Sequence, residues 1–262
     1  MNISVKTKPL ALAVAVSQVL LYQSVPAQAQ SLEEVVITAR KRTETLMDAP
    51  VAVTALSGQA MESQGISNME QLSGKVPGLQ IGRGAQTTNI RIRGVGSGIN
   101  KGFEQSAGMY IDGIYQSRSR QFTQSLVDLQ QVEVLRGPQG VLFGKNTVAG
   151  AIKVETANPV VGDEFNGSIK AAFEPEQSTT RFTGIVSGSL SDSVAARLVL
   201  RQEDSDGYMD NKFRDTDEQE ETNKMARLTL AWDAADNLSI VAKASHVDME
   251  STGKEVTIYT ID

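Results

Sequence analysis

The second half of the chain alternates apolar and polar residues with a period of two. Such alternation places successive side chains on opposite faces of a β-strand. It predicts strands that are each close to the roughly 9 to 11 residues of a tilted membrane-spanning strand. The predicted strands are 166–174, 181–190, 194–203, 225–232 and 238–245. Ile185 is the one misfit to this pattern, an apolar residue on a polar face.

The connections between these strands alternate in length. Residues 191–193 and 233–237 are short, whereas residues 204–223 form a long charged loop. Outer-membrane barrels have short periplasmic turns and long outer loops, so this alternation favours a barrel. A soluble β-sandwich, whose strands show the same period, stays open as an alternative. Trp232, at the end of a strand, suits either an interfacial girdle or ordinary core packing.

Residues 46–157 have a mixed pattern that predicts a small α+β domain. Residues 57–73 suggest two short helices, with Ser57 and Ser67 as N-caps. Asp112-Gly113 suggests a turn between strands. Strands are predicted by short alternating runs at 90–93, 109–112 and 132–135.

The first 29 residues have the features of a secretory signal. Lys6 and Lys8 precede an apolar run, and Ala27-Gln28-Ala29 forms a small-residue cleavage site. The run is well short of the roughly 20 apolar residues that span a bilayer, which argues against a membrane anchor. We therefore expect an exported protein that is cleaved after Ala29.

Composition removes several classes of function. The chain has no cysteine and one histidine, His246. Disulfides, thiolate metal sites and thiol nucleophiles are therefore excluded, and multi-histidine metal sites and most Ser-His-Asp relays lack their parts. The net charge of −6 gives no reason to expect a nucleic-acid partner. The glycines at 94–98 and 144–146 miss the spacing of phosphate-binding loops and are interpreted as turn glycines.

Most of the negative charge lies in the predicted long loop. Residues 203–221 contain nine acidic and two basic side chains, a net charge of −7. Subtracting −7 from the total of −6 leaves +1 for the rest of the chain. Such a loop disfavours anionic ligands unless a cation intervenes.

A short run of β-forming residues follows the predicted cleavage site. It contains Val35, Val36, Ile37 and Thr38, with no partner strand or turn expected beside it. An isolated exposed strand is either disordered or available to pair with another sheet edge, and the remaining alternative is the first strand of the domain that follows. The residues alone leave these possibilities open.

Six further motifs complete a resemblance to the TonB-dependent outer-membrane receptors. Residues 32–39 resemble the TonB box of this family, and the later motifs resemble its plug domain in order and spacing. The resemblance is close over residues 32–157 and extends to the rest only in strand pattern. The plug-like motifs are 50–54 (PVAVT), 72–79 (LSGKVPGL), 90–94 (IRIRG), 132–140 (VEVLRGPQG), 142–144 (LFG) and 148–152 (VAGAI).

The resemblance implies an α+β plug domain followed by antiparallel strands of a transmembrane β-barrel. Family barrels have about 22 strands, so we expect the chain to be the N-terminal part of a receptor with an incomplete barrel. The expected division is signal peptide 1–29, TonB box and linker 30–45, plug 46–157, and about five barrel strands in 158–262.

The resemblance also implies residue roles. In an isolated soluble domain, a solvated strand face is the favoured explanation for Arg91, Arg93 and Arg136. The expected TonB contacts are Glu33, Glu34, Val35, Val36, Ile37, Thr38 and Ala39. The expected ion network between plug and barrel is Arg91, Arg93, Glu133 and Arg136. The expected turn glycines are Gly94, Gly113, Gly137, Gly144 and Gly150. The ligand-facing candidates are Arg83, Gln86, Lys101, Phe103 and Gln105.

The function that the resemblance implies is TonB-dependent import of a scarce ligand across a bacterial outer membrane, with the plug and box facing the periplasm. A ferric siderophore is the default cargo by family prevalence, and cobalamin, a glycan or an aromatic compound are alternatives. The expected partners are TonB with its inner-membrane complex, outer-membrane lipids and a metal-chelate ligand. We expect a monomer with no enzyme activity, resident cofactor, metal site or nucleic-acid partner. A non-transporting, truncated plug or binding module is the alternative of another class.

Overall fold

The computed structural model describes most of the chain between residues 51 and 251 and two short strands before it. The described residues are 36–37, 44–45, 51–83, 88–97, 104–118, 121, 126–175, 178–207, 209–211, 216–218 and 220–251. They all lie in one compact unit, residues 35–262. The strands are β1 (Val36–Ile37), β2 (Glu44–Thr45), β3 (Ala52–Ser57), β4 (Leu79–Arg83), β5 (Thr88–Ile92), β6 (Val95–Gly96), β7 (Ala107–Ile111), β8 (Ile114–Tyr115), β9 (Leu129–Arg136), β10 (Gly150–Thr156), β11 (Asn166–Glu174), β12 (Thr179–Ser191), β13 (Val194–Ser205), β14 (Met209–Asn211), β15 (Thr216–Glu218), β16 (Glu221–Ala235) and β17 (Leu238–Ser251). The helices are α1 (Gly58–Ser63), α2 (Met69–Ser73) and α3 (Gly140–Phe143).

Five strands form a mixed sheet in the order β3-β9-β10-β7-β8. β10 runs parallel to β7, and the other neighbours are antiparallel. Met109, Val132 and Val134 of this sheet are each 1% exposed, and they pack in one core with Ile90 and Ile92 of β5. The α+β domain that the sequence predicts is therefore confirmed.

The two predicted helices are present, but one begins at a different cap. Ser57 caps α1, because its Oγ accepts a hydrogen bond from Ala60 N at 3.2 Å. Asn68, not Ser67, caps α2, since Asn68 Oδ1 accepts from Gln71 N at 2.8 Å. The Gln71 side chain reaches back to accept from Ser67 N at 2.7 Å, which satisfies a second free backbone donor at this helix start.

Two tight hairpins in this domain require backbone conformations that few residues adopt. Asp112 and Gly113 connect β7 to β8 with φ values of 48° and 81°. Arg93 and Gly94 connect β5 to β6 with φ values of 53° and 79°. Positive φ at both central residues matches the right-handed twist of the paired strands. The predicted turn at Asp112-Gly113 is thus confirmed.

The predicted strands of the second half form a long antiparallel sheet in the order β11-β12-β13-β16-β17. β11 coincides with the predicted segment, and the other strands extend beyond theirs, with β16 reaching 15 residues. The predicted long loop contains a short hairpin of β14 and β15. No helix within the described part of the chain is long and apolar enough to span a membrane.

The register of the long sheet separates its two faces. Leu198 lies opposite Leu228 on the outer face, and both are more than 40% exposed. Val199 lies opposite Arg227 on the inner face, where both are buried. Ile185 pairs with Val199, so the apolar misfit of the sequence pattern belongs to the inner face. The outer face is consequently an apolar band, and the inner face faces the mixed sheet.

Candidate functional site

The mixed sheet and the long sheet are joined at the end where β9 begins and β7 and β10 end. Thr156 pairs with Leu129 and Val154 with Ile111, so residues 112, 128 and 156 lie at this same end. We call it the contact end. The inner face of the long sheet presents three cations to it, Arg197, Arg227 and Lys243.

Asp128 is held by two arginines, and we call these three residues the Asp128 clasp. Arg197 binds its carboxylate in a bidentate manner, with Nε–Oδ2 at 2.9 Å and Nη2–Oδ1 at 2.5 Å. Arg227 Nη2 donates to Asp128 Oδ2 at 3.1 Å and to the carbonyl oxygens of Val127 and Asp128 at 3.0 Å. The Asp128 side chain is only 5% exposed. A buried charge with this many ion-pair hydrogen bonds is a strong structural link.

Asp112, Thr156 and Lys243 form a second link, the Asp112 clasp. Lys243 Nζ donates to Asp112 Oδ1 at 2.9 Å and to Thr156 Oγ1 at 2.7 Å. The same carboxylate accepts from Thr156 N and Thr156 Oγ1. Burial acts to raise the pKa of Asp112, but the hydrogen bonds from Lys243 and Thr156 prevail, so this pKa lies below its ordinary value.

The two clasps lie on one row of the long sheet. Arg197 is opposite Thr229, and Thr229 is opposite Lys243. Lys170 of β11 adds a more exposed ion pair to Glu62 of α1. Cations of the long sheet and carboxylates of the α+β domain therefore meet across the interface.

β1 and β2 form a short antiparallel pair outside the two larger sheets, with Val36 opposite Thr45 and Ile37 opposite Glu44. The sequence-based expectation that this segment lacks a local partner is therefore wrong. A partner only seven residues downstream was missed because two residues give no measurable alternation. Glu33, Glu34, Val35, Thr38 and Ala39, the other predicted TonB contacts, lie outside the described residues.

Comparison with protein families identifies the α+β domain. Residues 45–151 match the model of the TonB-dependent receptor plug domain. The chain carries a plug. It is 28% identical over 206 residues to the iron-regulated outer membrane virulence protein of Vibrio cholerae, covering 70% of this chain and 30% of that protein. It is 33% identical over 133 residues to the pesticin receptor of Yersinia pestis, covering 50% of this chain and 20% of that protein.

Solved structures of receptors have the same arrangement of plug and antiparallel strands. The ferric yersiniabactin uptake receptor of Yersinia pestis matches with a TM-score of 0.67 at 26% identity, covering 76% of this chain and 32% of that one. The pyoverdine-bound receptor of Pseudomonas aeruginosa matches with a TM-score of 0.70 at 20% identity, covering 82% and 27%, which shows the fold. The chain thus spans less than a third of these relatives and carries a plug followed by the strands of an incomplete barrel.

The predicted ion-network residues have other contacts. Glu133 is fully buried in the plug, hydrogen-bonded to Gln131 and 4.0 Å from Lys153 Nζ. Arg136 donates to Thr54 within the mixed sheet. Arg91 and Arg93 are exposed. The expectation that barrel carboxylates hold plug cations is reversed at the contact end, because Asp112 and Asp128 are the plug residues there. Contacts of the four predicted residues with further barrel strands stay a prediction.

The five predicted turn glycines share an unusual backbone conformation, but one of them lies in a strand. Gly94, Gly113, Gly137, Gly144 and Gly150 all have positive φ. Gly150 is the first residue of strand β10, so its prediction as a turn glycine is wrong. A Cβ at this position would clash with Leu135 O, so strand pairing there requires glycine.

Of the ligand-facing candidates, Gln105 is 6% exposed and so buried in the plug, and Arg83 ends β4. Gln86, Lys101 and Phe103 lie outside the described residues. The described ranges contain no group of residues that could hold a metal ion.

The clasp residues were only partly accessible to sequence reasoning. Alternation puts Arg197, Arg227 and Lys243 on the face opposite the apolar band, so the cations could have been identified as inward-facing. Asp112 ends a predicted alternating run and begins the predicted turn, and Asp128 directly precedes β9, and neither position indicates a partner on the long sheet. Their one shared property, a positive φ in a non-glycine residue, becomes visible only in the structure.

Proposed function

We propose that the protein carrying this chain imports a metal chelate across a bacterial outer membrane. The observation that supports this most directly is a plug domain joined through buried ion pairs to strands whose other face is apolar. The relatives include an iron-regulated outer membrane virulence protein and a ferric yersiniabactin uptake receptor. Iron carried by an organic chelator is accordingly the proposed cargo.

The outer face of the long sheet supports the membrane location. Leu230, Trp232 and Ile240 are between 38% and 48% exposed there, in a band that continues across the neighbouring strands. Leaving such a face in water is unfavourable, whereas lipid accommodates it. The short turn at 236–237 would lie in the periplasm and the loop after β13 outside the cell.

The clasps explain why such a plug would need an energy source. Separating one partner from a buried ion pair costs about 3–5 kcal/mol. That cost makes spontaneous release of the Asp128 clasp rarer by a factor of roughly 10² to several thousand. We propose that TonB supplies this energy by pairing with β1 through strand addition and pulling on the chain that enters the plug at β3.

Val36→Pro tests this proposal, because proline removes a backbone donor and restricts φ in β1. The control is Val36→Thr, which keeps the N–H group and the β-branched side chain. In the full-length receptor we expect Val36→Pro to abolish growth on a ferric chelate under iron limitation while chelate binding to cells is retained. Val36→Thr should support growth. Growth of the proline variant at the normal rate contradicts the assignment of the box.

A further inference from the structure

Four arginines follow one another along the inner face of the long sheet, beginning at the Asp128 clasp. Arg197 is opposite Thr229, Arg227 is opposite Val199, and Arg201 is opposite Met225. Arg181 is opposite Glu203. Diagonal neighbours across antiparallel strands have Cα atoms about 7–8 Å apart, so each guanidinium group is within reach of the next.

These four guanidinium groups share three carboxylates. Asp128 binds Arg197 and Arg227, Glu203 binds Arg181 and Arg201, and Glu174 binds Arg181. The Nε atoms of Arg201 and Arg227 are buried and have no hydrogen-bond partner among the described residues. Both side chains are at most 10% exposed. Two buried donors close to each other thus remain available for an acceptor.

Asp128 differs from the other two carboxylates because it belongs to the plug. Glu174 and Glu203 lie on strands of the long sheet and stay with their arginines when the plug shifts. When the plug moves, the Asp128 carboxylate and the carbonyl oxygens of Val127 and Asp128 move away from Arg197 and Arg227 together. Movement of the plug therefore strips Arg197 and Arg227 of every partner shown above, and it leaves two neighbouring guanidinium groups without an acceptor beside the space that the plug vacates.

We propose that Arg197 and Arg227 form a transit site for an anion that bears a carboxylate or a similar planar oxyanion. The site is already shaped for such a group, because Arg197 Nε and Nη2 and Arg227 Nη2 converge on a single carboxylate. An anionic cargo takes the place of Asp128 and stabilises the shifted plug. This inference rests on the proposed function and adds the charge class of its cargo.

The acidic outer segment is compatible with an anionic transit site. The segment, residues 203–221, begins at Glu203 in the arginine row and continues from the end of β13 to the start of β16. A chelate with bound iron presents a metal cation as well as carboxylate groups, so the same cargo can satisfy both regions in turn.

The experiment measures binding of malonate, a simple dicarboxylate, to the purified full-length receptor by titration calorimetry, without TonB. Asp128→Asn removes the internal carboxylate while keeping the side-chain shape. We expect it to bind malonate about tenfold more tightly than the wild type or better, because a charge-assisted internal competitor is gone. The double variant Asp128→Asn/Arg227→Gln should lose this gain. Asp112→Asn, which releases Lys243 and no arginine, is the matched control and should show no gain.

Equal affinity in the wild type and Asp128→Asn overturns the inference, and so does a gain that persists in the double variant or appears equally in Asp112→Asn. If Asp128→Asn does not fold, Asp128→Ser is measured under the same criteria. Failure of the proposed function has a different signature. In that case the wild type does not support uptake of any ferric chelate, whatever the malonate affinities are.

Discussion

The Asp112 clasp gives a quantitative test of how the plug is held. Asp112→Asn keeps the volume of the side chain and one acceptor oxygen but removes the negative charge. The remaining oxygen still accepts from Thr156 N, as Asp112 Oδ1 does at 3.0 Å. The ion pair with Lys243 is lost, and the amide nitrogen replaces an oxygen that accepted from Thr156 Oγ1.

The expected loss of stability follows from these contacts. A hydrogen bond to a charged group contributes about 1.5–3 kcal/mol, and most of the neutral bonds survive the substitution. Since Lys243 and Asp112 are each about one-fifth exposed, water compensates part of the loss. We therefore expect Asp112→Asn to lower the free energy of unfolding at neutral pH by roughly 1–2 kcal/mol.

The pH dependence of this difference has a definite sign. The pKa of Asp112 is lower in the folded protein than its ordinary value of 3.8. A depressed carboxyl pKa contributes stability that is complete above the ordinary value and is lost as the pH falls through the folded value. The difference in the free energy of unfolding between wild type and variant should therefore be constant near neutral pH and shrink below about pH 3.8.

The assay is calorimetric unfolding of the full-length receptor in detergent at a series of pH values. Asp236→Asn, in an exposed turn, is the control for removing one negative charge. A variant as stable as the wild type at neutral pH refutes the assignment of this clasp. A stability difference that grows as the pH falls refutes the electrostatic explanation.

Two further substitutions test other parts of the fold. Gly150→Ala should destabilise the plug by about 1–3 kcal/mol or more, because the new Cβ would clash with Leu135 O. The control is Gly140→Ala, where a Cβ meets nothing within 4 Å. The stability of both variants is measured by thermal unfolding. Leu230→Arg on the apolar band should cost about 2–4 kcal/mol and reduce folding into lipid vesicles, whereas Thr222→Arg near the strand end should fold normally. Equal behaviour within either pair contradicts the placement described above.

The long sheet was predictable because its signal is local and repeated. Strands such as β13 and β16 alternate over many residues, and a one-residue slip would bury their polar face. Even the misfit Ile185 is explained by the same periodicity, since Val199 receives it on the inner face. What the pattern missed were the strand ends, which are polar on both faces near the outer loop.

The ion pairs at the contact end could not be predicted from the sequence. Lys243 and Asp112 are 131 residues apart, and Arg227 and Asp128 are 99 apart. No local pattern links residues at such separations. The resemblance to a receptor family gave the existence of an interface between plug and barrel, but the sign of its charges depends on these individual residues. Asp112 lies in a turn, where sequence indicates a change of direction and not a partner, and Asp128 lies just before β9 without any local signal.

These separations have a consequence for assembly. β16 and β17 follow the plug by more than 60 residues, yet they supply Arg227 and Lys243. Contacts that close long loops form late, because their entropic cost must be met before they stabilise anything. The plug core can form early from its own strands, but both clasps must wait until the fourth and fifth strands of the long sheet have paired. The order in which the plug–barrel contacts form therefore differs from the order in which the two parts are synthesised. In a chain that ended after β13, Arg197 and Lys170 would be the only cations described here that contact the plug.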